Sequence, residues 1–449
     1  MNVKLRLGLV LTLGEFLDSN KSKIEYETIH DKIEELGISV IRFDEPLINS
    51  AISKKASEYF SRNNVDILLV IAGTWTHDNF IVDIMEYLNC PVIFWSPPDP
   101  LGTSFPKIGS LVGTIQNCGV LVKMGKKVKN IFSSINGTRG FSQLKDYLNV
   151  SYAIKKLKFS RIGFIGNRTP GMLDTAYHEL ELRNQIGPET VYIDLSEFLK
   201  ELNAVSSKEA EDFAMTEINQ AQLKDVDSQT ILESVQIYLA MKKIVKRNDL
   251  DAVAFKCWPD LKAHNICSPC YTLSRLTDEG IMSACEGDVT SAVSMQILFL
   301  ITGHYIYLGD MLTIDSDSKI AQYFHCGAKS KYLAENPDTI EYRMHADAEN
   351  VWKPGMTVEF PVKPGRITFA RVHEIKSNYR MVVYTGEALK TNMFVRGNPM
   401  KVLLDKDPEN IVNGLIQSGS PHHQIAVHGD VKDQIRLFCE FLDLDLIEL

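Results

Sequence analysis

The strongest constraint on the fold of this 449-residue chain is an alternation of short β-branched apolar runs with longer polar–apolar segments. Val3–Val10, Ile38–Phe43, Val65–Ala72 and Val92–Trp95 have strand character, and Asn20–Leu36, Asn49–Asn63 and Ile81–Leu88 between them have helical character. Such alternation predicts a parallel sheet covered by helices on both faces. A second α/β unit follows: helix over Phe141–Leu157, strand over Ser160–Gly166, loop over Asn167–Gly171 and strand over Val191–Asp194. Leu199–Arg247 is mostly helical, and Leu250–Phe255 is a further strand. Beyond Thr357 the texture changes to short strands separated by Pro, Gly and Asn: Thr357–Val362, Arg366–Glu374, Tyr379–Thr385 and Asn392–Val395. A His-rich segment, Pro421–Asp430, and a helix over Val431–Leu442 close the chain. The expectation is two consecutive Rossmann-like, doubly wound parallel-sheet domains followed by an antiparallel β-barrel-like domain. Boundaries are placed at 1–157, 158–305 and 306–449, with Glu286 in the second domain and Asp310 and His423 in the third.

Composition narrows the function. A net charge of −9 disfavours a polyanion binder, so no nucleic-acid partner is expected. The basic run Lys123–Lys129 is taken as a solvated helix face. The longest apolar run, Ala292–Thr302, is about half of the ~20 residues that a membrane span needs. Met1–Val10 has the pattern of a first strand, not a signal peptide, so a cytoplasmic location is expected. Eight cysteines in so long a chain do not make a disulfide framework, and Cys267–Cys270 has no second CxxC to complete a zinc site. Gly163 and Gly166 lack the third glycine of a dinucleotide fingerprint, so no nucleotide cofactor is expected.

The candidate reaction centre lies between Cys285 and Cys326. Glu286 and Asp288 sit among small residues, an apolar helix-length run follows, then come Asp310 in a tight Leu-Gly-Asp step and His325. Two carboxylates flanking a helix return to one point if a turn follows, and carboxylate oxygens with an imidazole suit a hard or borderline divalent cation. Asp310 has the context of a turn aspartate, and Asp288 that of a turn, cap or surface acid. His422 and His423 are adjacent, and on an extended segment at most one of them faces a given cation. Lys256 and Trp258 follow the end of a strand, where α/β sheets host ligands. Trp75, in Gly73–Asn79, occupies a similar place in the first unit.

The runs Lys256-Cys257-Trp258-Pro259-Asp260-Leu261 and Ala284-Cys285-Glu286-Gly287-Asp288-Val289-Thr290, with Gly309-Asp310 and His422-His423, resemble the L-fucose isomerase family, of which L-arabinose isomerase is a structural relative. The resemblance is carried mainly by roughly residues 250–330. It implies a metal-dependent aldose–ketose isomerase of a free pentose or deoxyhexose: L-fucose, D-arabinose or L-arabinose. It implies Mn²⁺ or another divalent cation held by Glu286, Asp310 and His423, with Glu286 and Asp310 catalytic. It places His422 at a sugar contact, where fucose isomerases carry asparagine and arabinose isomerases show a double histidine. Lys256 and Trp258 would line the pocket. His325 is a ligand, a sugar contact or a structural histidine. It further implies a homotrimer or homohexamer in which Trp75 covers a neighbouring subunit's site. The reaction moves one proton between C1 and C2 and another between O1 and O2 through an enediolate. Two other classes compete: a non-catalytic sugar-binding or regulatory protein of two Rossmann-like lobes, and a metal-dependent hydrolase or lyase.

Overall fold

The computed structural model describes residues 4–14, 20–36, 38–99, 102, 105–218, 222–346 and 353–449. The chain divides into two compact units, Met1–Lys155 and Lys156–Leu449.

In the first unit β1 (Arg6–Thr12), α1 (Asn20–Glu35), β2 (Ser39–Arg42), α2 (Ser50–Arg62), β3 (Ile67–Ala72), α3 (Asn79–Ile84), β4 (Val92–Ser96), α4 (Ser110–Lys123), β5 (Val128–Phe132) and α5 (Thr138–Leu157) follow in order. Five parallel strands form one sheet in the order β2-β1-β3-β4-β5. Alternate side chains of a strand face opposite sides. Leu7, Leu9 and Leu11 therefore join one apolar cluster, and Val10 joins another with Leu68 and Val70. The basic run is not a helix face: α4 stops at Lys123, and β5 begins at Val128. Met1–Val3 of the expected first strand lie outside the described residues.

The second unit opens with β6 (Arg161–Ile165), α6 (Glu179–Gln185), β7 (Glu189–Ile193), α7 (Leu195–Asn203), α8 (Ser207–Ile218), β8 (Gln222–Lys224), α9 (Ser228–Asn248), β9 (Ala252–Phe255), α10 (Asp260–Ala263), α11 (Cys270–Asp278), β10 (Met282–Ala284) and α12 (Val289–Thr302). Residues 219–221 of the expected helical stretch lie outside the described residues. A parallel sheet runs β10-β9-β6-β7. Helix α12 is apolar on every side because it is buried along nearly its whole length, from Val289 to Ile301.

The rest of the unit is β11 (Ile306–Asp315), β12 (Ile320–Phe324), β13 (Glu341–Met344), β14 (Met356–Glu359), β15 (Gly365–Ile375), β16 (Asn378–Leu389), β17 (Met400–Leu404), α13 (Pro408–Ser418), β18 (His423–His428), α14 (Lys432–Leu442) and β19 (Asp445–Glu448). Seven strands form a mixed sheet, β15-β18-β11-β12-β17-β16-β19, antiparallel except where β19 joins β16. Because β15 also pairs with β16, the pairings of six of these strands run in a closed cycle. Three expectations need correction. Asp310 lies inside β11, paired on both sides, not in a turn after the helix. The strand expected at Thr357–Val362 belongs to a separate small sheet, β14-β13-β8. Asn392–Val395 is not a strand; its place in the large sheet is taken by β17.

The two parts of this unit are joined by a buried ion pair. Asp288, the N-cap of α12, is fully buried and accepts from the Arg371 guanidinium of β15 at 2.8 Å. Removing one partner of such a pair leaves a charge stranded out of water. Arg371→Leu is therefore expected to lower unfolding stability by about 3–5 kcal/mol, measured by urea denaturation. An unchanged transition would contradict this account of the pair.

Candidate active site

Three loops at the carboxyl ends of parallel strands build one wall of the site, which is where α/β sheets place ligands. Past β9 come Lys256 and Trp258; past β10 comes Glu286; past β6 come Thr169 and Asp174. Between β10 and α12 the chain reverses within four residues, Cys285 to Asp288. Glu286 has φ 61° and Gly287 φ 70°, both in the left-handed region. A non-glycine residue there costs on the order of 1–2 kcal/mol and persists only when its surroundings hold it. They do: Thr169 N–H donates to the Glu286 carbonyl at 3.2 Å, and Gly287 N–H donates to Phe255 at 3.2 Å. A Cβ on Gly287 would lie 2.4 Å from the Asn167 carbonyl oxygen. The reversal aims the Glu286 carboxylate at the second wall, and Trp258 Nε1–H donates to its Oε1 at 3.3 Å.

The second wall is the β11–β18 pair. Asp310 and His423 are directly opposed in its antiparallel register, so their side chains share a face. His423 Nδ1–H donates to Asp288 Oδ2 at 2.9 Å, which turns Nε2 toward the site, 3.4 Å from Glu286 Oε2 and 3.7 Å from Cys285 Sγ. His422 reaches the same oxygen: its Nε2 is 3.3 Å from Glu286 Oε2, and its Nδ1 is 2.6 Å from Asp174 Oδ2. The expectation that only one of the two histidines faces a given point fails because β18 begins at His423, leaving His422 outside the strand's alternation. The two ring centroids are 4.2 Å apart.

His325 is buried just past β12. Its Nδ1 accepts from the Cys326 backbone N–H at 2.9 Å, so the neutral ring carries its proton on Nε2, which faces Cys285 Sγ at 3.0 Å. Among the described residues Cys285, His325 and His423 are close enough to share an ion, as are Glu286, His422 and His423; Asp310, expected as a ligand with Glu286 and His423, is in neither group. In the first group His325 would have to give up its backbone hydrogen bond to ligate. In the second group His422 would have to give up its bond to Glu286 to ligate, whereas His423 keeps its bond to Asp288. Lys256 forms an ion pair with Asp260. Trp75 belongs to the first unit, at the end of β3, where its Nε1–H donates to Gln116 at 3.0 Å.

The electrostatics separate the two carboxylates. Burial works to raise the pKa of Glu286, but the hydrogen bond from His422 and the nearby His423 outweigh it and hold it below the ordinary range. Burial dominates at Asp310 and raises it despite the two histidines. Burial opposes ionisation of Asp288 as well, but Arg371 and His423 hold it well below the usual value. Burial would lower His422, yet its bonds to Glu286 and Asp174 lift it to about 9. Burial, joined by the nearby Lys329 and neighbouring histidines, drives His325 well down, consistent with a neutral ring.

The model of the L-fucose isomerase C-terminal domain matches residues 323–449. The chain is 30% identical over 389 residues to a sulfoquinovose isomerase of Priestia aryabhattai, spanning 85% of each chain. It is 28% identical over 385 residues to one from Alkalicoccus urumqiensis, spanning 86% of each. The chain belongs to the fucose isomerase-like family. It is an enzyme of the aldose–ketose isomerase class. A sugar-bound ABC-transporter solute-binding protein of Agrobacterium vitis matches at 10% identity, covering 67% of this chain and 90% of its own, but its TM-score of 0.18 carries no argument.

Asp174, Arg371 and Cys285 are the site-building residues that sequence reasoning did not assign; Asp288, taken there as a turn, cap or surface acid, is a cap, but fully buried. Asp288 and Arg371 left a signal: Asp-x-x-Ser ahead of an apolar helix, and a lone arginine within an apolar strand. Asp174 left none. Gly287→Ala tests the tight reversal. The expected result is a folded protein whose kcat/KM falls about 100-fold, since a shift near 1 Å at a reacting group costs that much. Activity near wild type would contradict the account.

Proposed function

We propose that this isomerase converts sulfoquinovose, a glucose-type aldose with a sulfonate on C6, to the corresponding 2-ketose with the aid of a divalent cation. The observation that carries the reading is the meeting of Glu286, His422 and His423 at one oxygen, in a chain whose relatives named above are sulfoquinovose isomerases. L-Fucose is the second reading, favoured by the C-terminal domain match, with D-arabinose and L-arabinose behind it.

The donors fit a metal ion. Asp310 Oδ1 is buried with no hydrogen-bond partner, and His423 Nε2 lies 3.4 Å from Glu286 Oε2. Two carboxylates and an imidazole suit Mn²⁺, with Mg²⁺ and Co²⁺ admissible. Glu286, Asp310 and His423 would hold it, and when bound it would supply Lewis-acid polarisation at the sugar's carbonyl and neighbouring hydroxyl. Glu286, kept ionised by its hydrogen bonds, takes the C2 proton and returns it to C1. Asp310, shielded from water, serves the hydroxyl proton that moves between O1 and O2. Trp258 orients Glu286 and offers an apolar face to the sugar. His422 contacts a substrate oxygen, His325 holds Cys285 in place, and Lys256 with Asp260 borders the pocket.

The protein is further proposed to be a cytoplasmic homo-oligomer, trimeric or hexameric. All eight cysteines are free, in keeping with a reducing compartment. Among the described residues no helix is long and apolar enough to cross a membrane. Helix α4 exposes Val112, Ile115 and Val122, each more than 60% accessible, a stripe suited to a second copy. Trp75 is bonded to Gln116 of the same helix, which supports a role for it at a shared site.

The test is conversion of sulfoquinovose, L-fucose, D-arabinose and L-arabinose in D₂O with Mn²⁺, followed by NMR. Sulfoquinovose is expected to give the ketose with solvent deuterium at C1, and Glu286→Gln is expected to reduce kcat at least ~100-fold. Isomerisation of L-fucose alone would move the substrate to the second reading. No isomerisation of any of the four, or full activity in Glu286→Gln, would overturn the proposal.

A further inference from the structure

Each histidine beside Glu286 is backed by its own aspartate, and the two couples differ. His423 and Asp288 are buried, at 1% and 0% exposure, on the protein side. His422 and Asp174 lie on the open side, with their side chains 38% and 41% exposed. An exposed His–Asp contact is ordinarily weak and free to rotate. This one is pinned twice: Asp174 Oδ2 accepts both Nδ1–H of His422, at 2.6 Å, and its backbone N–H, at 3.2 Å. Asp174 itself sits in a one-turn segment, Leu173–Thr175, whose Thr175 is buried. The loop leading to it is tied to the reaction centre, because Thr169 donates from its N–H to the Glu286 carbonyl at 3.2 Å and from Oγ1 to the Trp258 carbonyl at 3.3 Å.

We infer that Asp174 is a positioning residue for catalysis: it fixes the plane of the His422 ring so that Nε2 stays directed at Glu286 and at the sugar oxygen bound there. The inference rests on the reading of Glu286 as the reacting carboxylate. Without Asp174 the ring of His422, lying outside β18, has no second anchor, and Nε2 samples orientations that miss the substrate. The bond needed is an acceptor for Nδ1–H, which an asparagine amide oxygen also supplies.

The experiment compares Asp174→Ala, Asp174→Asn, His422→Gln and the double variant Asp174→Ala/His422→Gln in the full-length, Mn²⁺-loaded enzyme. Steady-state kinetics, Mn²⁺ affinity and Tm are measured. Losing a group that orients a site residue typically costs about 10–100-fold in activity. Asp174→Ala is expected to lose that much kcat/KM with Mn²⁺ affinity and Tm unchanged. Asp174→Asn is expected to recover most of it, and the double variant to be no worse than His422→Gln alone, since two residues acting as one unit are non-additive. Wild-type kinetics in Asp174→Ala, an Asp174→Asn as impaired as Asp174→Ala, or additive losses in the double variant would overturn the inference. A fully active Glu286→Gln would remove the reading beneath it, whereas an inactive Glu286→Gln beside a wild-type-like Asp174→Ala would remove this inference alone.

Discussion

The carboxylate of Asp288 has no exposure to water, and the geometry of the active site depends on how its charge is satisfied. Five groups do so: Ser291 N–H at 2.9 Å, Ser291 Oγ at 2.6 Å and Thr290 Oγ1 at 3.0 Å from α12, Arg371 at 2.8 Å from β15, and His423 Nδ1 at 2.9 Å from β18. Arg371 then donates to the His423 carbonyl at 2.6 Å, closing a ring of bonds among three elements. A buried ion pair is weak evidence of net stability, because desolvation offsets much of the attraction. Its use here is positional. It sets which nitrogen of His423 faces the site and where that nitrogen points, as carboxylate partners do for metal-binding histidines.

A second constraint acts from the other wall. Glu286 occupies a backbone conformation that disfavours side chains, and its neighbours leave no room for a Cβ at Gly287. The strain is local, and the hydrogen bonds from Thr169 and to Phe255 hold it. The outcome is a carboxylate delivered from a parallel sheet to histidines delivered from an antiparallel pairing. Neither part of the second unit holds a complete site by itself. Asp310 and His423 are brought together by register, and a one-residue slip of β18 would turn His423 to the opposite face.

Much of this was legible in the residues. Parallel sheets follow from runs such as Ile67–Ala72, buried on both faces and separated by helices. The placement of Asp310 in a turn was not correct, because Gly309-Asp310 carries a turn signature while the flanking Ile306–Leu308 and Met311–Ile314 carry the strand. Local turn propensity lost to pairing on both sides. The pattern rule applied to His422 and His423 failed for a related reason: alternation holds only inside a strand, and β18 starts between them. Asn392–Val395 had the right residues for a strand but no partner. Asp174 sits in an irregular loop where no periodicity exists, so its bond to a histidine 248 positions away was invisible to any local rule.

The central proposal is that Glu286, Asp310 and His423 together hold one cation. Titration of the apo protein with Mn²⁺, followed by electron paramagnetic resonance, addresses it without reference to any substrate. One ion per chain is the predicted stoichiometry, with nitrogen coupling from imidazole that disappears in His423→Ala and binding that weakens in Asp310→Asn. Absence of a bound Mn²⁺ signal, or a signal unchanged in both variants, would contradict the account.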